Sequence, residues 1–571
     1  DRTNTFGDAF LGITLSCAKC HDHKYDPITQ KNYYEIFSFF NNVKEAGQIS
    51  FNNALPTPTL MLPTEEQEEI ITYLKTRAAA QEKKILQLEQ SGEAGFRRWL
   101  NSGGYKGLSA GALPRPGLQA YYSFERGSLS NSLDRSQAGE MKREGGNAGG
   151  EPVFEALGGN RKALLFNGDV WLDLKETGIF RRSDPFSIGL QVYIPKELEE
   201  GVIFHKGVAE RLYNFRGYHL YLKEGKLELS LVHTAPSNAI TRVSRDSVPR
   251  GEWLHVAASY DGSSRAEGLR LYLNGEEMGT EVTMDQLNKD ILLRFFGAEP
   301  GLQIGAWERG LGLKGGKVSG IAVYGRELTP FEMQVLAEKA SWASITSKNS
   351  RQLSAAELAA LKRYYFSAVH RETLEARKEL KQIRTGLADS MEAVRELMVM
   401  QEMPERRKTY LLERGVYDAP REEVFPNTPP SILKFPEGLP RNRYGLAQWL
   451  THEDHPLTAR VAVNRFWQNF FGTGLVKTSV DFGNQGELPS HPQLLDWLAV
   501  SFRESGWDVK KLVKQIVMSA TYRQDSRAGE EARERDPENR LLARGPSGRM
   551  TAEMIRDNAL MASGLINTEM G

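Results

Sequence analysis

The fold of the central part of the chain is decided by Trp253-Leu-His-Val-Ala-Ala-Ser-Tyr-Asp-Gly262 and, shortly after it, by Leu271-Tyr-Leu-Asn-Gly275. Each run is short and largely apolar, and each ends in an Asp-Gly or Asn-Gly dipeptide, which favours a turn between antiparallel strands. Similar runs occur at Ala163–Gly168, Phe186–Tyr193, Tyr218–Leu222 and Leu227–Leu231. Short strands separated by Gly, Asn and Asp turns predict an all-β domain over residues 113–342.

These runs continue with Ile304-Gly305 and Val318-Ser-Gly-Ile-Ala-Val-Tyr324, and together they resemble the laminin-G-like, concanavalin A-like jelly roll. The hydrolases that share this sandwich carry closely spaced strand carboxylates. No such run is found here, so a lectin-like module that binds a polysaccharide or glycoprotein is favoured over a catalytic one. Asp261-Gly262 and Asn274-Gly275 are predicted to be tight hairpin turns, with calcium or sugar binding as the alternative. His255 is predicted to be a structural residue that faces the sheet.

Helical segments are predicted on both sides of the sandwich. Thr64-Glu-Glu-Gln67 and Ser354-Ala-Ala-Glu357 each have the form of a capping box, in which the first and fourth residues cap one helix end reciprocally. Apolar residues at helical spacing follow both boxes. We therefore predict a helical stalk over residues 63–112 and a helical connector over residues 343–400, which can pair with each other.

The two cysteines of the chain are Cys17 and Cys20, and His21 follows directly. A c-type haem uses this spacing, because two thiols form thioethers with the haem vinyl groups and the adjacent histidine supplies an axial nitrogen to iron. The alternatives are a zinc site that adds His23, a thioredoxin-like redox pair and a plain local disulfide. Four zinc ligands within seven residues would give poor tetrahedral geometry. A thioredoxin-like redox pair would need a βαβ setting, which the local sequence does not suggest.

The segment that contains Ser16-Cys-Ala-Lys-Cys-His-Asp-His-Lys-Tyr-Asp-Pro27 resembles the end of the cytochrome-like domain of planctomycete and verrucomicrobial surface proteins. The resemblance implies that residues 1–62 are the C-terminal part of such a domain. It also implies haem c bound to Cys17 and Cys20, with His21 as the metal ligand. Because haem of this type is attached outside the bacterial cytoplasm, an extracytoplasmic location follows (periplasmic, cell-surface or secreted). His23 lies too close to His21 to reach the opposite face of iron.

The C-terminal part, residues 401–571, follows a Pro-rich linker and is predicted to be helical. Helical spacing is found at Tyr444–Leu450, Thr458–Phe471, His491–Arg503, Val509–Tyr522 and Thr551–Ile566. Four runs resemble a second planctomycete domain of unknown function: Arg414-Gly-Val-Tyr-Asp418, Ala459-Arg-Val-Ala-Val-Asn-Arg-Phe-Trp467, Asp481-Phe-Gly483 and Pro489-Ser-His-Pro-Gln-Leu-Leu-Asp-Trp497.

Six polar residues of this part are candidates for a catalytic pocket: Arg460, Asn464, Arg465, Asp481, His491 and Asp496. Structural roles are favoured for them, because buried polar groups must be hydrogen-bonded and no nucleophile with a recognisable base is present. The expected fold class is therefore multidomain, α plus all-β, with mainly helical N- and C-terminal domains on either side of the β-sandwich.

Charge and hydropathy disfavour two classes of function, nucleic-acid binding and a membrane-spanning role for this part of the protein. The 571 residues include 73 Lys plus Arg and 73 Asp plus Glu, so no basic surplus points to a nucleic acid. No run approaches the length of a membrane span. The chain opens at Asp1 inside a motif and stops after a helical pattern, so we expect a fragment at both ends.

Three functions are considered. The first is an exported, envelope-associated c-type haem protein with a lectin-like module, which serves redox or electron transfer linked to polysaccharide use and has a redox partner. The second is a non-enzymatic surface scaffold that binds glycans without haem. The third is a polymer-acting hydrolase that uses the C-terminal helical domain.

Overall fold

The structure is a computed structural model that describes residues 1–43, 58–108, 113–143, 147–207, 216–293, 299–306 and 311–569. Residues 44–57 of the predicted first domain, and 109–112 at the end of the predicted stalk, lie outside the described residues. The chain divides into two compact units. We call Asp1–Val43 with Glu402–Gly571 the helical unit, and Lys44–Gln401 the sandwich unit.

The helices of the described residues are α1 Arg2–Phe6, α2 Gln30–Asn41, α3 Glu65–Ser91, α4 Glu93–Asn101, α5 Pro330–Leu336, α6 Trp342–Thr346, α7 Ala355–Ala368, α8 Arg371–Glu392, α9 Arg443–Leu450, α10 Thr458–Phe471, α11 Pro492–Glu504, α12 Val509–Met518, α13 Ala520–Arg523, α14 Glu530–Arg535 and α15 Ala552–Ser563. The capping boxes at Thr64 and Ser354 are confirmed, and they begin α3 and α7. The helix predicted over Val509–Tyr522 is interrupted at Ser519, whose side chain caps α13 by accepting a hydrogen bond from the Tyr522 N–H.

The strands are β1 Thr59–Leu62, β2 Leu118–Tyr122, β3 Glu140–Arg143, β4 Asn147–Ala148, β5 Phe154–Gly158, β6 Arg161–Leu165, β7 Val170–Asp173, β8 Phe186–Tyr193, β9 Gly201–Gly207, β10 Gly217–Lys223, β11 Lys226–Thr234, β12 Asn238–Ser244, β13 Trp253–Tyr260, β14 Leu269–Leu273, β15 Glu276–Glu277, β16 Thr280–Gln286, β17 Leu302–Ile304, β18 Lys317–Tyr324, β19 Arg395–Met398, β20 Thr409–Leu412 and β21 Pro420–Val424.

Two antiparallel sheets form the predicted β-sandwich. In the described residues, one sheet has the strand order β16-β12-β11-β10-β9-β17-β7-β3-β4 and the other β15-β14-β13-β8-β18-β6-β5, with β2 also paired to β18. Alternate residues of β13, such as Leu254 and Val256, join the core between the sheets. Residues between them, such as Ala257, face outwards and pack against Met333 and Leu336 of α5. The alternation therefore assigns each residue to one of two buried faces.

The two predicted hairpin turns have different outcomes. Leu273 pairs with Glu276, and both Asn274 (φ 50°) and Gly275 (φ 85°) have positive φ, so Asn274-Gly275 is a two-residue turn as predicted. Asp261-Gly262 is not a tight hairpin turn, and that prediction is wrong. Residues 261–268 form a longer loop, because the Asp261 carboxylate accepts the Ser263 N–H at 2.9 Å and the Asp261 N–H donates to the Gly268 carbonyl at 3.3 Å.

The helices α3 and α8 pack against each other; we call them the helix pair. Ala78 and Ile85 of α3 contact Ala376, Leu380 and Ile383 of α8. Beside this contact β1 pairs with β19, from Thr59 opposite Met398 to Leu62 opposite Arg395. The first and last described segments of the sandwich unit are therefore neighbours.

The helical unit is built from both ends of the chain. One core contains Leu11, Ile36 and Phe39 from the N-terminal segment together with Leu446 and Trp449 of α9. Val43 bridges to Glu402, so the chain leaves this unit and returns to it at adjacent residues. Residues 1–43 and 402–571, predicted as parts of separate domains, thus share one core. Among the described residues no helix is both long and apolar enough to cross a membrane.

Buried histidines of the sandwich make its stability depend on pH. Burial lowers the pKa of His205 and His233 to about 3, and that of His255 to about 4, from an unfolded value of 6.5. The unfolded chain therefore binds more protons below pH 6.5, and the free energy of unfolding falls as the pH falls towards the folded pKa values. For His255, burial is the cause of the lowered pKa, and within the described part of the chain neither ring nitrogen has a hydrogen-bond partner that would oppose it.

We predict that His255→Leu reduces the loss of unfolding free energy between pH 6.5 and pH 4 by about 3 kcal/mol. Urea unfolding of the full chain at several pH values, followed by tryptophan fluorescence, measures this slope. Val256→Ala on the same strand is the control, because it should lower stability by a similar amount at every pH. An unchanged slope for His255→Leu contradicts the assignment.

Candidate functional site

The Cys-x-x-Cys-His motif lies on a surface turn of the helical unit. Cys17 is in a 3-10 turn, Leu15–Lys19, and Cys20 follows it. Both cysteines are exposed and neither is in a disulfide. Leu15 and Ala18 of the same turn are fully buried. The turn is therefore fixed by its apolar residues while both thiols face solvent.

The peptide between the cysteines is held from outside the motif. Gln30 donates through Nε2 to the Lys19 carbonyl and to the Leu412 carbonyl, each at 2.9 Å. The hydroxyl of Tyr34 donates to the same Lys19 carbonyl at 3.2 Å. Burial, and then the charges of Tyr33 and Cys20, raise the pKa of Tyr34 to about 12. Tyr34 is thus a permanent donor near neutral pH, and it lies close to Cys20.

The two histidines of the motif segment have different environments. His21 is exposed, and its Nδ1 lies 2.6 Å from the Asp22 carbonyl. A carbonyl accepts only, so Nδ1 carries the proton and Nε2 keeps a free lone pair for a metal. His23 is buried, and its Nδ1 accepts the Asp26 N–H at 2.9 Å. Of the two, His21 has the geometry of a ligand and His23 that of a structural residue.

A loop from the far end of the chain holds the residues after the motif; we call it the support loop (residues 481–484). The Asn484 N–H donates to the Asp26 carboxylate at 2.8 Å, and the Asn484 side chain donates to the Tyr25 carbonyl at 2.7 Å. The Phe482 N–H donates to the Gly12 carbonyl at 2.7 Å. A Cβ on Gly483 would lie only 2.5 Å from the Asp26 carboxylate. The Asp481-Phe-Gly483 run is therefore a contact surface for the motif segment.

Gly415 makes a second such contact. Its φ is +74°, a region that favours glycine, and a Cβ there would lie 2.9 Å from the Cys20 Sγ. Gly415 belongs to the Arg414–Asp418 run of the second resemblance. Spacing along the sequence could not show that this run lies against Cys20, because nearly four hundred residues separate the two.

The motif residues fit a covalently bound haem and do not form a zinc site. Two exposed thiols and one accessible imidazole nitrogen are the donors that c-type haem requires. A zinc site would need His23 as well, which is bonded to Asp26. Among the described residues no group of three or more His, Cys, Asp and Glu side chains is arranged to hold a metal ion.

The six polar candidates of the C-terminal part do not converge on one site. Arg460 donates to Asp496 at 2.7 Å on the surface of the unit, and Arg465 donates to the Asp8 carbonyl. The buried Asn464 bonds both the N–H and the carbonyl of Val476.

The other two candidates have local partners. Asp481 accepts the N–H of Gly483 at 2.9 Å, inside the support loop, and His491 bonds the neighbouring Ser490 at 3.0 Å. All six therefore have structural partners, as favoured from the sequence.

Three segments of the chain match known families. Residues 1–45 match a protein family of unknown function, DUF1549 (PSCyt2), and residues 442–571 match another, DUF1553 (PSD1). Residues 166–334 match the concanavalin A-like lectin/glucanases superfamily. Family models thus match all three segments, each over a shorter range than predicted, while the cytochrome-like character of the first segment stays a prediction. No curated protein sequence matches the chain.

Solved structures resemble the sandwich weakly. Domain 4 of AbnA, a GH43 extracellular arabinanase from Geobacillus stearothermophilus in complex with arabinotriose, is 24% identical, with 39% of this chain and 100% of that chain covered and a TM-score of 0.30. The binding domain of botulinum neurotoxin serotype G is 15% identical, with 38% of this chain and 50% of that chain covered and a TM-score of 0.28. The chain thus spans about half of the neurotoxin domain.

We predict that Asp26→Ala loosens the motif segment. It removes the buried carboxylate that accepts the Asn484 N–H at 2.8 Å, and losing this hydrogen bond should cost about 1–3 kcal/mol in the helical unit. Hydrogen exchange of residues 12–28 should become faster, and thermal unfolding should begin earlier. The control is Asp22→Ala, which removes an exposed carboxylate that accepts the Gln30 N–H at 2.8 Å. Equal effects of both substitutions contradict a special role for the support loop.

Proposed function

We propose that the protein is an extracytoplasmic c-type haem protein whose lectin-like sandwich binds carbohydrate. The observation that carries the haem part is the pairing of two exposed thiols with a histidine whose Nδ1 is bonded to a carbonyl, which leaves Nε2 free. The three attachment residues, Cys17, Cys20 and His21, lie in and directly after one short 3-10 turn.

The protein's contribution to attachment is simple. Cys17 and Cys20 would hold haem through thioether bonds to its two vinyl groups, and His21 would supply a nitrogen ligand to iron. Bound haem would supply one-electron transfer to a redox partner. The residues that hold the turn rigid are Gln30, Tyr34 and the support loop. Attachment outside the cytoplasm supports a periplasmic, cell-surface or secreted location.

Carbohydrate binding rests on the sandwich. Its segment matches a superfamily of lectins and glucanases. The polar candidates of the helical domain do not converge, which disfavours the hydrolase alternative. A polysaccharide or glycoprotein is thus the proposed ligand of the sandwich, and haem the proposed cofactor of the helical unit.

The haem part is tested by a pyridine haemochrome spectrum of the full chain made in cells that contain the haem-attachment machinery. We predict a covalent haem band in the wild type and its loss in Cys17→Ala/Cys20→Ala. His21→Ala should retain the covalent haem band in pyridine but alter the reduced-minus-oxidised spectrum of the native protein, because it removes a nitrogen ligand of iron and leaves both thioethers.

His491→Ala is the matched control, since His491 is bonded to Ser490 and lies outside the motif; its spectrum should equal that of the wild type. Colourless wild-type protein from the same cells overturns the haem proposal. A non-enzymatic glycan-binding scaffold would then be the better description.

A further inference from the structure

A cavity of about 500 Å³ lies in the sandwich unit, between the helix pair and the loops at one end of the strands. The wall on one side comes from α3 and α8, and that on the other from residues just before β8 and just after β13 and β18. The size is within the usual range for small-ligand sites. The helix pair lies outside the segment that matches the superfamily, so this cavity is a composite of both parts of the unit.

Polar contacts hold the two walls together. Arg384 of α8 donates to the Asp261 carbonyl at 2.7 Å and to the Glu82 carboxylate at 2.8 Å. Ser183 and Thr385 share a hydrogen bond of 3.1 Å. Because these bonds join the helices to the strand-end loops, the cavity is formed before any ligand binds.

The lining offers both acceptors and donors to a ligand rich in hydroxyl groups. Asp261 and Glu327 supply carboxylates, and Arg265, Arg377 and Lys378 supply cationic donors. Leu86 and Leu374 add apolar surface that can contact a sugar ring. Sugar hydroxyls both donate and accept, so such a mixed lining suits them.

The charged residues of the lining differ in their ion pairs. Arg377 pairs with Glu89 at 2.8 Å, and Lys381 pairs with Asp184 at 2.8 Å. Lys378 is exposed, and it has no acidic partner within the described part of the chain. The cavity therefore keeps a cation at its opening that a negatively charged ligand can reach.

Glu327 is a partly exposed acceptor of the lining. Its side chain accepts a hydrogen bond from the Arg270 Nε at 3.1 Å and is 29% exposed. Burial raises the pKa of Glu327, although the Arg270 guanidinium opposes the shift. Its carboxylate oxygens can accept hydrogen bonds from sugar hydroxyls.

We infer that this cavity binds an acidic sugar residue, a uronic acid within a polysaccharide, with its carboxylate at Lys378 and its hydroxyls at Asp261 and Glu327. The inference rests on the proposed carbohydrate-binding function and names the site and the ligand class. Calcium at Asp261 is not part of this inference, because among the described residues no group of three or more His, Cys, Asp and Glu side chains is arranged to hold a metal ion.

The test is isothermal titration of the full chain with trigalacturonate and with its methyl ester, which has the same sugar ring without the charge. The wild type should bind trigalacturonate about tenfold more tightly than the ester. Lys378→Gln should remove this difference and leave ester binding unchanged. Leu86→Trp, at an exposed position of the lining, adds bulk at the edge of the cavity and should weaken binding of both ligands.

Lys83→Gln is the control, an exposed lysine of α3 outside the lining, and it should bind like the wild type. Trigalacturonate binding that neither Lys378→Gln nor Leu86→Trp changes overturns the site, while carbohydrate binding stands. Equal binding of acid and ester, or binding of neutral polysaccharides alone, overturns the ligand class. If no polysaccharide of a broad panel binds, the carbohydrate-binding function itself is wrong.

Discussion

The contact between α3 and α8 is the interaction on which the sandwich unit depends. Gln81, buried in this contact, donates to the Ala376 carbonyl and to Glu379, each at 2.9 Å, so one polar residue sets the register of an otherwise apolar seam. The contact closes a loop of almost three hundred residues. The entropic cost of closing a loop grows only slowly with its length, so a large domain can be inserted between the two helices. Since β1 and β19 also pair, a large sandwich fits between two segments that stay adjacent.

Buried charge then joins the helix pair to the sandwich. Arg181 donates to the fully buried Asp290 at 2.7 Å and also to Asp389 of α8. Lys289 donates to the carbonyls of Glu392 and Val394 at the end of that helix. Removing one partner of a buried ion pair costs more than the pair itself contributes, so this contact specifies one docking geometry. The same geometry creates the cavity, because the helices cannot slide along the strand ends.

In the helical unit, the turn with Cys17 and Cys20 is exposed, and contacts from both parts of the unit hold it. The exposed turn that carries Cys17 is anchored by two fully buried residues of its own, Leu15 and Ala18. Its outer side is held by residues from the other end of the chain, Gly415 and the support loop. The residues of this segment therefore differ in role: His21 is exposed, while His23 and Asp26 form structural hydrogen bonds. Because the two segments of the helical unit share a core, residues from both of them surround the Cys-x-x-Cys-His motif.

Short-range patterns in the sequence predict the local elements and the fold class. Alternation assigned β8 and β13, capping boxes at Thr64 and Ser354 began helices, and the Cys-x-x-Cys-His spacing named the candidate attachment atoms, because each pattern acts over a few residues. Tertiary structure decided which distant segments meet: Asn484 on Asp26, Arg384 on Asp261, and a longer loop where Asp261-Gly262 predicted a tight turn. Such contacts depend on side-chain fit between elements hundreds of residues apart, and periodicity along the chain does not encode that fit.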